Sequence, residues 1–432
     1  MAFLAKDSTV YIACVRNVRT GGTELLHQFA SHLLKRDVDV RMVYFPVTHE
    51  RDDVFAEYRI PYDTSIAAGA QNVLIAPEVL TETIVETADT EIRRILWWLS
   101  VDNWLGNILL TYDAFYKSPQ KLLKMPFPRK FSFAFDDTLI HWTQSEYARQ
   151  FLLVNGIKEE NIRAVSDYLN PVFLQRTRAI SLKAKEPYVV FNPQKGMKFT
   201  QKLMAAAPDI SWRPIKDMTP VEVEEFLQKA MVYVDFGSHP GKDRLPREAA
   251  ACGCCVVTGQ RGAAANNVDI PIAEEFKFAD EETSVPQIIS KIRYIFQNFP
   301  AEYEKFADYR KIIGNEPKKF AEDVDGALGL SPAPYTRVAL LQQTDVKRQK
   351  CLAALANFPQ FRPVCAVSSS LIPGGGKDVV DVAEASFLYR EGRIEKFAVL
   401  DMEEAEKKEI AELLESMQVR ADDCLLFYTK TQ

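Results

Sequence analysis

The stretch MVYVDFGSHPGKDRLPREAAACGCCVVTG, residues 231–259, decides the fold. Its first residues form an apolar, β-branched run that predicts a buried strand, and its last residues, CVVTG, predict another. The segment PREAAACG between them favours a helix. A strand, a helix and a second strand in so short a span are typical of a parallel α/β sheet, in which helices connect neighbouring strands.

The same alternation recurs on both sides of this stretch. Towards the N-terminus, STVYIACV, VDVRMVYF, NVLIAPE, RRILWWLS and LIHWTQ predict strands, while GGTELLHQFASHLLKRD and SEYARQFLLVNG predict helices, the second ended by Gly156. After a basic, polar segment at residues 174–187, YVVFNP and DISWRPI continue the pattern, with Thr219 as the N-cap of the helix TPVEVEEFLQKA. We therefore predict two doubly wound α/β domains, residues 1–172 and 173–330.

Residues 331–432 form a third predicted piece, a smaller α/β domain of unknown role. TRVALLQQ, RPVCAVS and CLLFYTK predict strands, and a charged segment before the last of them predicts a helix. We interpret EASFLYREGRIEKFAVLD as an antiparallel hairpin that turns at Glu391 and Gly392. No motif in this piece indicates a function, and docking of a partner protein there stays open.

Composition indicates an ordinary globular protein without a broadly basic surface. The chain has 432 residues, 47% hydrophobic and 26% charged, with a net charge of −6, so nucleic acid is not an expected partner. The first residues do not resemble a signal peptide, and no apolar run is long enough to span a membrane. Seven cysteines without framework spacing favour a reducing, cytoplasmic location, with peripheral membrane association left open.

Glycine, proline and three cations converge in the opening stretch, at the predicted junction of strand and helix. Open α/β sheets bind ligands at the carboxyl ends of their strands, where helix N-termini present free N–H groups. Beside Gly241, the side chains of Lys242, Arg244 and Arg247 add positive charge for a diphosphate. Glu248 could accept two hydrogen bonds from a ribose diol, although a carboxylate there also complements the helix dipole without any ligand. The convergence favours an anion site.

These residues carry a family resemblance. PREAAACGCCVVTGQRGAAANN resembles the second-domain segment of GT-B-fold, retaining nucleotide-sugar glycosyltransferases of the family-four type, in which Glu-x7-Glu leads into an Ala-rich helix, a strand and a Gly-containing loop. GGTELLHQFASHLLKRDVDVRMV, SEYARQFLLVNGIKEENIRAVSDYLNP and FNPQKG resemble further segments of these enzymes, in the same order. The resemblance covers residues 8 to 330. It implies two facing Rossmann-like domains, the first binding the acceptor and the second the nucleotide sugar.

The resemblance also implies roles for individual residues. The second Glu of the motif maps to Glu248, as the ribose ligand, and Lys195 in FNPQKG maps to a phosphate contact. The first Glu, which contacts the donor sugar in the family, would fall at Pro240, so the chain departs from the pattern where sugar identity and catalysis are decided. His239 and Asp243 beside it are candidates for the catalytic role, although a histidine there could equally bond backbone.

Candidates in the first domain are the adjacent Gly21 and Gly22 and the segment WWLSVDNW. The two glycines permit close approach of the donor diphosphate, although a plain βα turn also needs glycine. No GxGxxG is present, which disfavours a dinucleotide-binding dehydrogenase. Trp98 could stack on an acceptor sugar while Asp102 and Asn103 bond its hydroxyls, and Asp102 is a further catalytic candidate. Because neighbouring side chains point to opposite faces of a strand, at least one of Trp97 and Trp98 belongs to the core.

The expected reaction needs no metal and no cofactor. No acidic pair lies in a predicted strand-end loop that would hold a metal-bound diphosphate, so cations and helix N-termini would offset the leaving-group charge. We interpret the chain as a glycosyltransferase that moves a sugar, with retention, from a nucleotide-diphosphate sugar to a glycan or lipid-linked acceptor in polysaccharide or surface-glycan synthesis. Two alternatives stay open: a sugar-nucleotide epimerase of the same fold, and an inactive module that binds nucleotide or glycan.

Overall fold

The chain forms two compact units. The structure, a computed structural model, describes residues 4–5, 7–48, 54–107, 136–175, 180–330, 336–341, 345–356, 358, 360–368, 379–400 and 404–427. One unit comprises residues 1–30 and 39–330, and the other comprises residues 331–432 together with 31–38. No helix within the described ranges is both long and apolar enough to cross a membrane.

The larger unit begins with a seven-stranded sheet. Its strands are β1 (Thr9–Val15), β2 (Asp39–Phe45), β3 (Tyr62–Asp63), β4 (Val73–Pro77), β5 (Arg93–Trp98), β6 (Ile140–Thr143) and β7 (Ile162–Ala164). They are parallel and lie in the order β3-β2-β1-β4-β5-β6-β7. All five residues of β4 are buried, as expected of a parallel sheet that helices cover on both faces.

Helices in this part of the chain follow the predicted pattern. In the first of them, Leu26, Phe29 and Leu33 recur at helical spacing and are fully buried. In the third, Ser145 accepts the Ala148 N–H at the start, and Gly156, with a φ of 84°, follows the end. The described helices are α1 (Gly21–Lys35), α2 (Thr81–Glu86), α3 (Glu146–Val154) and α4 (Pro171–Gln175).

The second sheet of the larger unit has four parallel strands: β8 (Glu186–Phe191), β9 (Ser211–Pro214), β10 (Ala230–Asp235) and β11 (Cys255–Thr258). Thr219 caps the second of its helices in a capping box with Glu222, so the predicted N-cap is confirmed. The helices are α5 (Met197–Ala206), α6 (Pro220–Lys229), α7 (Arg244–Ala251), α8 (Val285–Gln297), α9 (Phe299–Glu304) and α10 (Ala307–Leu328).

Each of these two sheets contains a point where the direction of strand addition reverses. In the first sheet β2 and β3 lie on one side of β1, and the chain then returns to place β4 on the other side. In the second sheet, whose order is β11-β10-β8-β9, the reversal lies between β8 and β10. At such switch points the connections leave in opposite directions and open a crevice at the carboxyl ends of the strands.

The smaller unit contains a third parallel sheet, and the predicted hairpin is wrong. Val382–Arg390 is a helix, α12, and the strand after it pairs in parallel with the strand Thr336–Leu341. Gly392, with a φ of 67°, ends this helix instead of turning a hairpin. The strands are β12 (Thr336–Leu341), β13 (Phe361–Ser368), β14 (Val379–Asp381), β15 (Lys396–Leu400) and β16 (Cys424–Phe427), in the order β14-β13-β12-β15-β16, with the further helices α11 (Asp345–Leu355) and α13 (Glu404–Ser416).

Candidate functional site

A cavity of about 630 Å³ lies between the switch points of the first and second sheets. Its walls include residues just after the carboxyl ends of the strands at each switch point, which is where an open α/β sheet binds its ligand, together with Gln144 after β6 and Asp167 after β7. The first-domain wall follows β1, β4 and β5, and the second-domain wall follows β8 and β10 and includes Asn192, Lys195, Asp235 and residues 240–245.

The start of α1 contributes Gly21 and Gly22 to the first-domain wall. Thr20 precedes them, and its hydroxyl accepts the Thr23 N–H at 3.3 Å, as in other helix caps. The first N–H groups of a helix have no acceptor within it, so they are available to an anion. A Cβ on Gly21 would lie 3.1 Å from Cδ of Arg244, so packing against the second domain is one reason for a small residue here.

The loop after β10 is bound to the first domain through its backbone. Val101 N–H donates to the Pro240 carbonyl at 3.0 Å, and a Cβ on Gly241 would lie only 2.3 Å from the Leu99 carbonyl oxygen. Gln144 accepts the N–H of the following lysine at 2.8 Å and donates to its carbonyl at 3.1 Å. Close approach of two backbones therefore accounts for the glycine at position 241.

Arg247 does not line the cavity, which corrects its predicted role as a diphosphate contact. The guanidinium is buried, and one of its nitrogens donates to both carboxylate oxygens of Asp167 at 2.8 and 2.7 Å. Another donates to Glu316 at 2.9 Å. Burial opposes the charge, but Asp167 and Glu316 outweigh it and raise the pKa of Arg247. Arg247 is therefore an internal ion-pair residue that connects Asp167 and Glu316.

Lys242 and Arg244 line the cavity, but each is also paired with carboxylates of the chain. Lys242 Nζ lies 2.8 Å from Glu316 Oε1. Arg244 forms an ion pair with Glu24 of α1 and lies 3.5 Å from Asp167 Oδ2. The positive charges of the predicted anion site are therefore already balanced by carboxylates of the chain, and an anionic ligand competes with those carboxylates for Lys242 and Arg244.

His239 is enclosed between two aspartates. Its Nε2 lies 3.5 Å from Asp235 Oδ1 and its Nδ1 lies 3.3 Å from Asp243 Oδ2, and the side chain has no exposed surface. Burial works to lower the pKa of the imidazole, but Asp243 and Asp235 outweigh it and raise this pKa. His239 has no exposed surface and does not line the cavity, which does not support its predicted catalytic role. Asp243 does line the cavity, and its catalytic role stays a prediction.

Lys195 completes this cluster from the loop after β8. Its Nζ lies 2.7 Å from Asp243 Oδ2, and 35% of its side chain is exposed. It lines the cavity, and of the cations named so far it is the most accessible to a ligand. The predicted phosphate contact is therefore in position, and its role stays a prediction.

The described residues contain one group suited to a metal ion, Asp235 with His239 and Asp243, whose potential ligand atoms lie within 4.8 Å of one another. Lys195 already supplies a positive charge to Asp243, and the raised pKa of His239 favours an imidazolium between the two carboxylates. Two carboxylates, one ammonium and one imidazolium balance in charge. A divalent cation would therefore have to displace Lys195 and a proton, and the expectation of a metal-free site stays a prediction.

Glu248 is a buried carboxylate with no side-chain partner among the described residues. It lies one helical turn beyond Arg244 in α7 and is 9% exposed, although it is not among the residues that line the cavity. Burial raises the pKa of Glu248 to about 7, against the opposing effect of Arg244 and Arg247. A buried carboxylate that makes no hydrogen bond is costly, and it retains its full capacity to accept bonds from a ligand.

Glu78 was missed by the sequence reasoning and lines the cavity at the end of β4. It is 3% exposed, and its Oε2 accepts the Leu99 N–H at 2.8 Å. Burial raises the pKa of Glu78 to about 7, although backbone N–H groups oppose this shift. The available signal was a carboxylate placed directly after a buried strand, in NVLIAPE, which is a position that faces a ligand crevice in this type of sheet.

The predicted acceptor residues are only partly brought together. Trp98 is completely buried and its indole N–H donates to Nδ1 of His141 at 3.1 Å, so it offers no face to a sugar and its prediction is corrected. Asp102 lies outside the cavity lining and accepts the Tyr147 hydroxyl at 3.0 Å, which does not support its catalytic role. Asn103 does line the cavity, and its role stays a prediction.

Comparison with solved structures identifies the fold as GT-B. HepE of Anabaena, solved in complex with UDP-glucose, superposes with a TM-score of 0.51 at 12% identity, over 74% of this chain and 99% of that chain. Sucrose-phosphate synthase of Thermosynechococcus elongatus has a TM-score of 0.49 at 12% identity, over 75% of this chain and 96% of its own. The lipopolysaccharide outer core galactosyltransferase WaaB has a TM-score of 0.47 at 10% identity, over 73% of this chain and 99% of its own.

The likeness to HepE confirms the predicted fold class, an α/β chain with two facing Rossmann-like domains of the GT-B type. No protein-family model and no curated protein matches the chain. At 12% identity the likeness concerns the fold, and function has to be argued from the site.

Proposed function

We propose that the chain is a glycosyltransferase that moves a sugar from a nucleotide-diphosphate sugar to a hydroxyl of an acceptor. The observation that carries this proposal is the cavity at which the switch points of two parallel sheets meet. One switch point can bind a nucleotide, and two facing each other can hold a donor against an acceptor. HepE, which shares the fold, was solved with UDP-glucose, and this donor is our first choice.

In the proposed complex the donor lies against the second domain. Lys195 and the glycine start of α1 bind the diphosphate, and Glu248 accepts hydrogen bonds from the ribose diol. Lys242 and Arg244 join them by exchanging their carboxylate partners for phosphate oxygens. Their positive charge then offsets the negative charge that develops on the nucleoside diphosphate as the bond between the anomeric carbon and the phosphate oxygen breaks.

The finer parts of the proposal come from the family resemblance. They are transfer with retention, independence of metal ions, a glycan or lipid-linked acceptor, and a place in polysaccharide or surface-glycan synthesis in the cytoplasm. Pro240 stands where the family has its sugar-binding carboxylate. We assign the polar contacts to the donor sugar in this chain to Asp243, which His239 and Lys195 hold in place.

Calorimetric titration with UDP, GDP, ADP, CMP and dTDP tests the donor half of the proposal. We expect one of them to bind, and Glu248→Ala to weaken its binding at least tenfold, because hydrogen bonds to a buried charged group contribute about 1.5–3 kcal/mol. Glu225→Ala, at an exposed position of α6, is the control and leaves the affinity unchanged. Unchanged binding in Glu248→Ala would remove the ribose assignment.

A second candidate function is an inactive nucleotide-binding module. The observations that support this candidate are the pairing of Lys242 and Arg244 with carboxylates and the presence of Pro240 where the family has a carboxylate. Incubation with UDP-glucose and acceptors separates the two, since an enzyme releases UDP and a module binds the nucleotide without turnover. Release of UDP that depends on acceptor also separates transfer from epimerisation, because an epimerase returns its nucleotide sugar intact.

A further inference from the structure

The short connection between β6 and α3 in the first domain contacts two segments of the second domain. Gln144, whose side chain is buried, pairs with the backbone of Lys242 in the loop after β10. At the start of α3, the N–H groups of Glu146 and Tyr147 donate to the carboxylate of Asp269, at 2.8 and 3.0 Å, in the segment after β11. This connection therefore joins the first domain to the second at two separate places.

The bonds between Gln144 and Lys242 resemble those between two strands. The amide oxygen of Gln144 accepts the Lys242 N–H at 2.8 Å, and its amide nitrogen donates to the Lys242 carbonyl at 3.1 Å. A side-chain amide suits this role because it carries an acceptor and a donor side by side, as a peptide group does. Arg247 is a second donor to the same carbonyl, at 2.9 Å, and the Val101 N–H donates to the Pro240 carbonyl at 3.0 Å.

The loop after β10 depends on the first domain where it reaches the cavity. At its beginning the Gly237 N–H donates to Asp235 of β10, at 2.9 Å, within the second domain. Further along, the Lys242 N–H has its acceptor in the first domain, in Gln144. Lys242 and the neighbouring Asp243 both line the cavity. The first domain therefore helps to set the direction in which this end of the loop presents its charged side chains.

We propose that Gln144 is a positioning residue for the nucleotide: by fixing the backbone of Lys242, it sets where the ammonium group of this lysine meets the diphosphate. The inference rests on the proposed function and adds a first-domain residue on which nucleotide affinity depends. In the proposed complex Lys242 exchanges Glu316 for a phosphate oxygen, so its anchored backbone then determines which oxygens it reaches. A backbone that is ordered before binding also limits the entropy lost on binding.

Calorimetric titration with UDP of Gln144→Met, Lys242→Met and the double variant tests the proposal. Lys242→Met should weaken UDP binding about tenfold, because it removes a charge-assisted hydrogen bond. Gln144→Met should weaken it about five- to tenfold in the parent chain, but less than about twofold in a chain that already carries Lys242→Met. A residue that acts through another has no further effect once that other residue is removed.

The alternative is a direct contact, since Gln144 itself lines the cavity and its amide nitrogen has a second hydrogen to donate. A direct contact predicts that Gln144→Met weakens UDP binding equally with and without Lys242→Met. Equal weakening in the two backgrounds, or no weakening in either, overturns the proposal.

Two further variants separate the loop from the rest of the domain junction. Asp269→Ala removes the acceptor of two N–H groups at the start of α3 but leaves the bonds between Gln144 and Lys242 in place. It should lower the urea midpoint and keep UDP affinity within about twofold of the parent chain. Gln150→Met, at an exposed position of α3, should change neither. A loss of UDP affinity in Asp269→Ala equal to that in Gln144→Met overturns the proposal.

Hydrogen exchange without nucleotide reports on the loop itself. In Gln144→Met the amides of Lys242 and Val101 should exchange about tenfold faster than in the parent chain. The first amide loses its acceptor, and the second is bonded to the same loop at Pro240. Unchanged exchange at both amides overturns the proposal.

These measurements also separate the positioning role from the proposed function. A parent chain that binds none of UDP, GDP, ADP, CMP and dTDP contradicts the proposed function, and the exchange rates then still decide whether Gln144 holds the loop. UDP binding that does not depend on Gln144 contradicts the positioning role alone.

Discussion

One nitrogen of Arg247 donates to both carboxylate oxygens of Asp167, at 2.8 and 2.7 Å, and neither side chain has more than 2% of its surface exposed. The two residues belong to different parts of the larger unit, since Asp167 follows β7 of the first sheet and Arg247 lies in α7 beside the second. Their ion pair therefore ties the two Rossmann-like domains together. Glu316 of α10 joins it through the second guanidinium nitrogen.

Arg247→Met should destabilise the larger unit by about 3–5 kcal/mol, because removing one partner leaves Asp167 and Glu316 buried with less compensation. All five tryptophans lie in this unit, so their fluorescence during urea unfolding reports on it. Arg163→Met, at an exposed position, is the control, and we expect it to change stability by no more than about 0.5 kcal/mol. A similar small effect of both variants would contradict the structural role of Arg247.

The pKa of Glu248 predicts a pH-dependent loss of stability. The carboxyl has a pKa of about 7 in the folded chain against an ordinary value of 4.5, so the folded state holds its proton more tightly than the unfolded state. Stability therefore falls as the pH rises from 4.5 towards 7, by about 3 kcal/mol, and stays low above that range. Glu248→Gln cannot ionise and should lack this fall.

Urea unfolding of Glu248→Gln and of the parent chain between pH 4 and 8 measures this difference. The variant should become the more stable of the two above pH 7 while binding nucleoside diphosphate more weakly, since the unpaired carboxylate is retained for the ligand. Glu225→Gln, at an exposed position of α6, is the control, and its stability relative to the parent chain should not change between pH 4 and 8. Parallel pH profiles of Glu248→Gln and the parent chain would contradict the buried, unpaired state of this carboxylate.

Local signals predicted most elements of the fold because they depend on neighbouring residues. Thr219 with Glu222 is a capping box within one helical turn, and the buried strands are contiguous apolar runs. The hairpin predicted at Gly392 failed because a glycine with positive φ ends a helix as readily as it turns a hairpin. The parallel pairing of β15 with β12, which is far away in the sequence, shows that the glycine ends a helix here.

The site was less predictable because its charged residues pair with partners that are far away in the sequence. Asp167 lies 80 residues before Arg247 and Glu316 lies 69 residues after it. The sequence therefore shows that the loop is rich in cations, but it does not show which carboxylates pair with them. The same holds for Trp98, whose burial depends on the neighbouring strands and on α3. Glu78 was accessible in principle, since its position after β4 follows from the predicted parallel sheet.

Gly241→Ala and Gly22→Ala should have opposite effects on stability. The added Cβ at position 241 would lie 2.3 Å from the Leu99 carbonyl oxygen, so the loop must move away from the first domain at a cost of about 1–3 kcal/mol. At position 22 the added Cβ would lie 3.4 Å from Leu99 Cδ1, an ordinary contact, and alanine favours the helix by up to about 1 kcal/mol.

Thermal unfolding and UDP titration of the two glycine variants distinguish these outcomes. Gly241→Ala should lower the unfolding midpoint and weaken UDP binding, because the displaced loop carries Lys242 and Asp243. Gly22→Ala should keep or raise the midpoint. A lower midpoint in both variants would indicate that α1, and not the docked loop, determines the stability of this part of the cavity.

Lys195→Met should weaken UDP binding about tenfold, because the ammonium group lines the cavity and a charge-assisted hydrogen bond to phosphate contributes about 1.5–3 kcal/mol. Its effect on stability should be small, since its ion pair with Asp243 is one-third exposed on the lysine side and is screened by solvent. The variant should also reduce the dependence of UDP affinity on salt, because one fewer cation meets the diphosphate. Lys202→Met on α5 removes an exposed lysine paired with Glu282 and is the matched control. If both variants lower UDP affinity equally, the effect is one of general surface charge, and the diphosphate does not lie at Lys195.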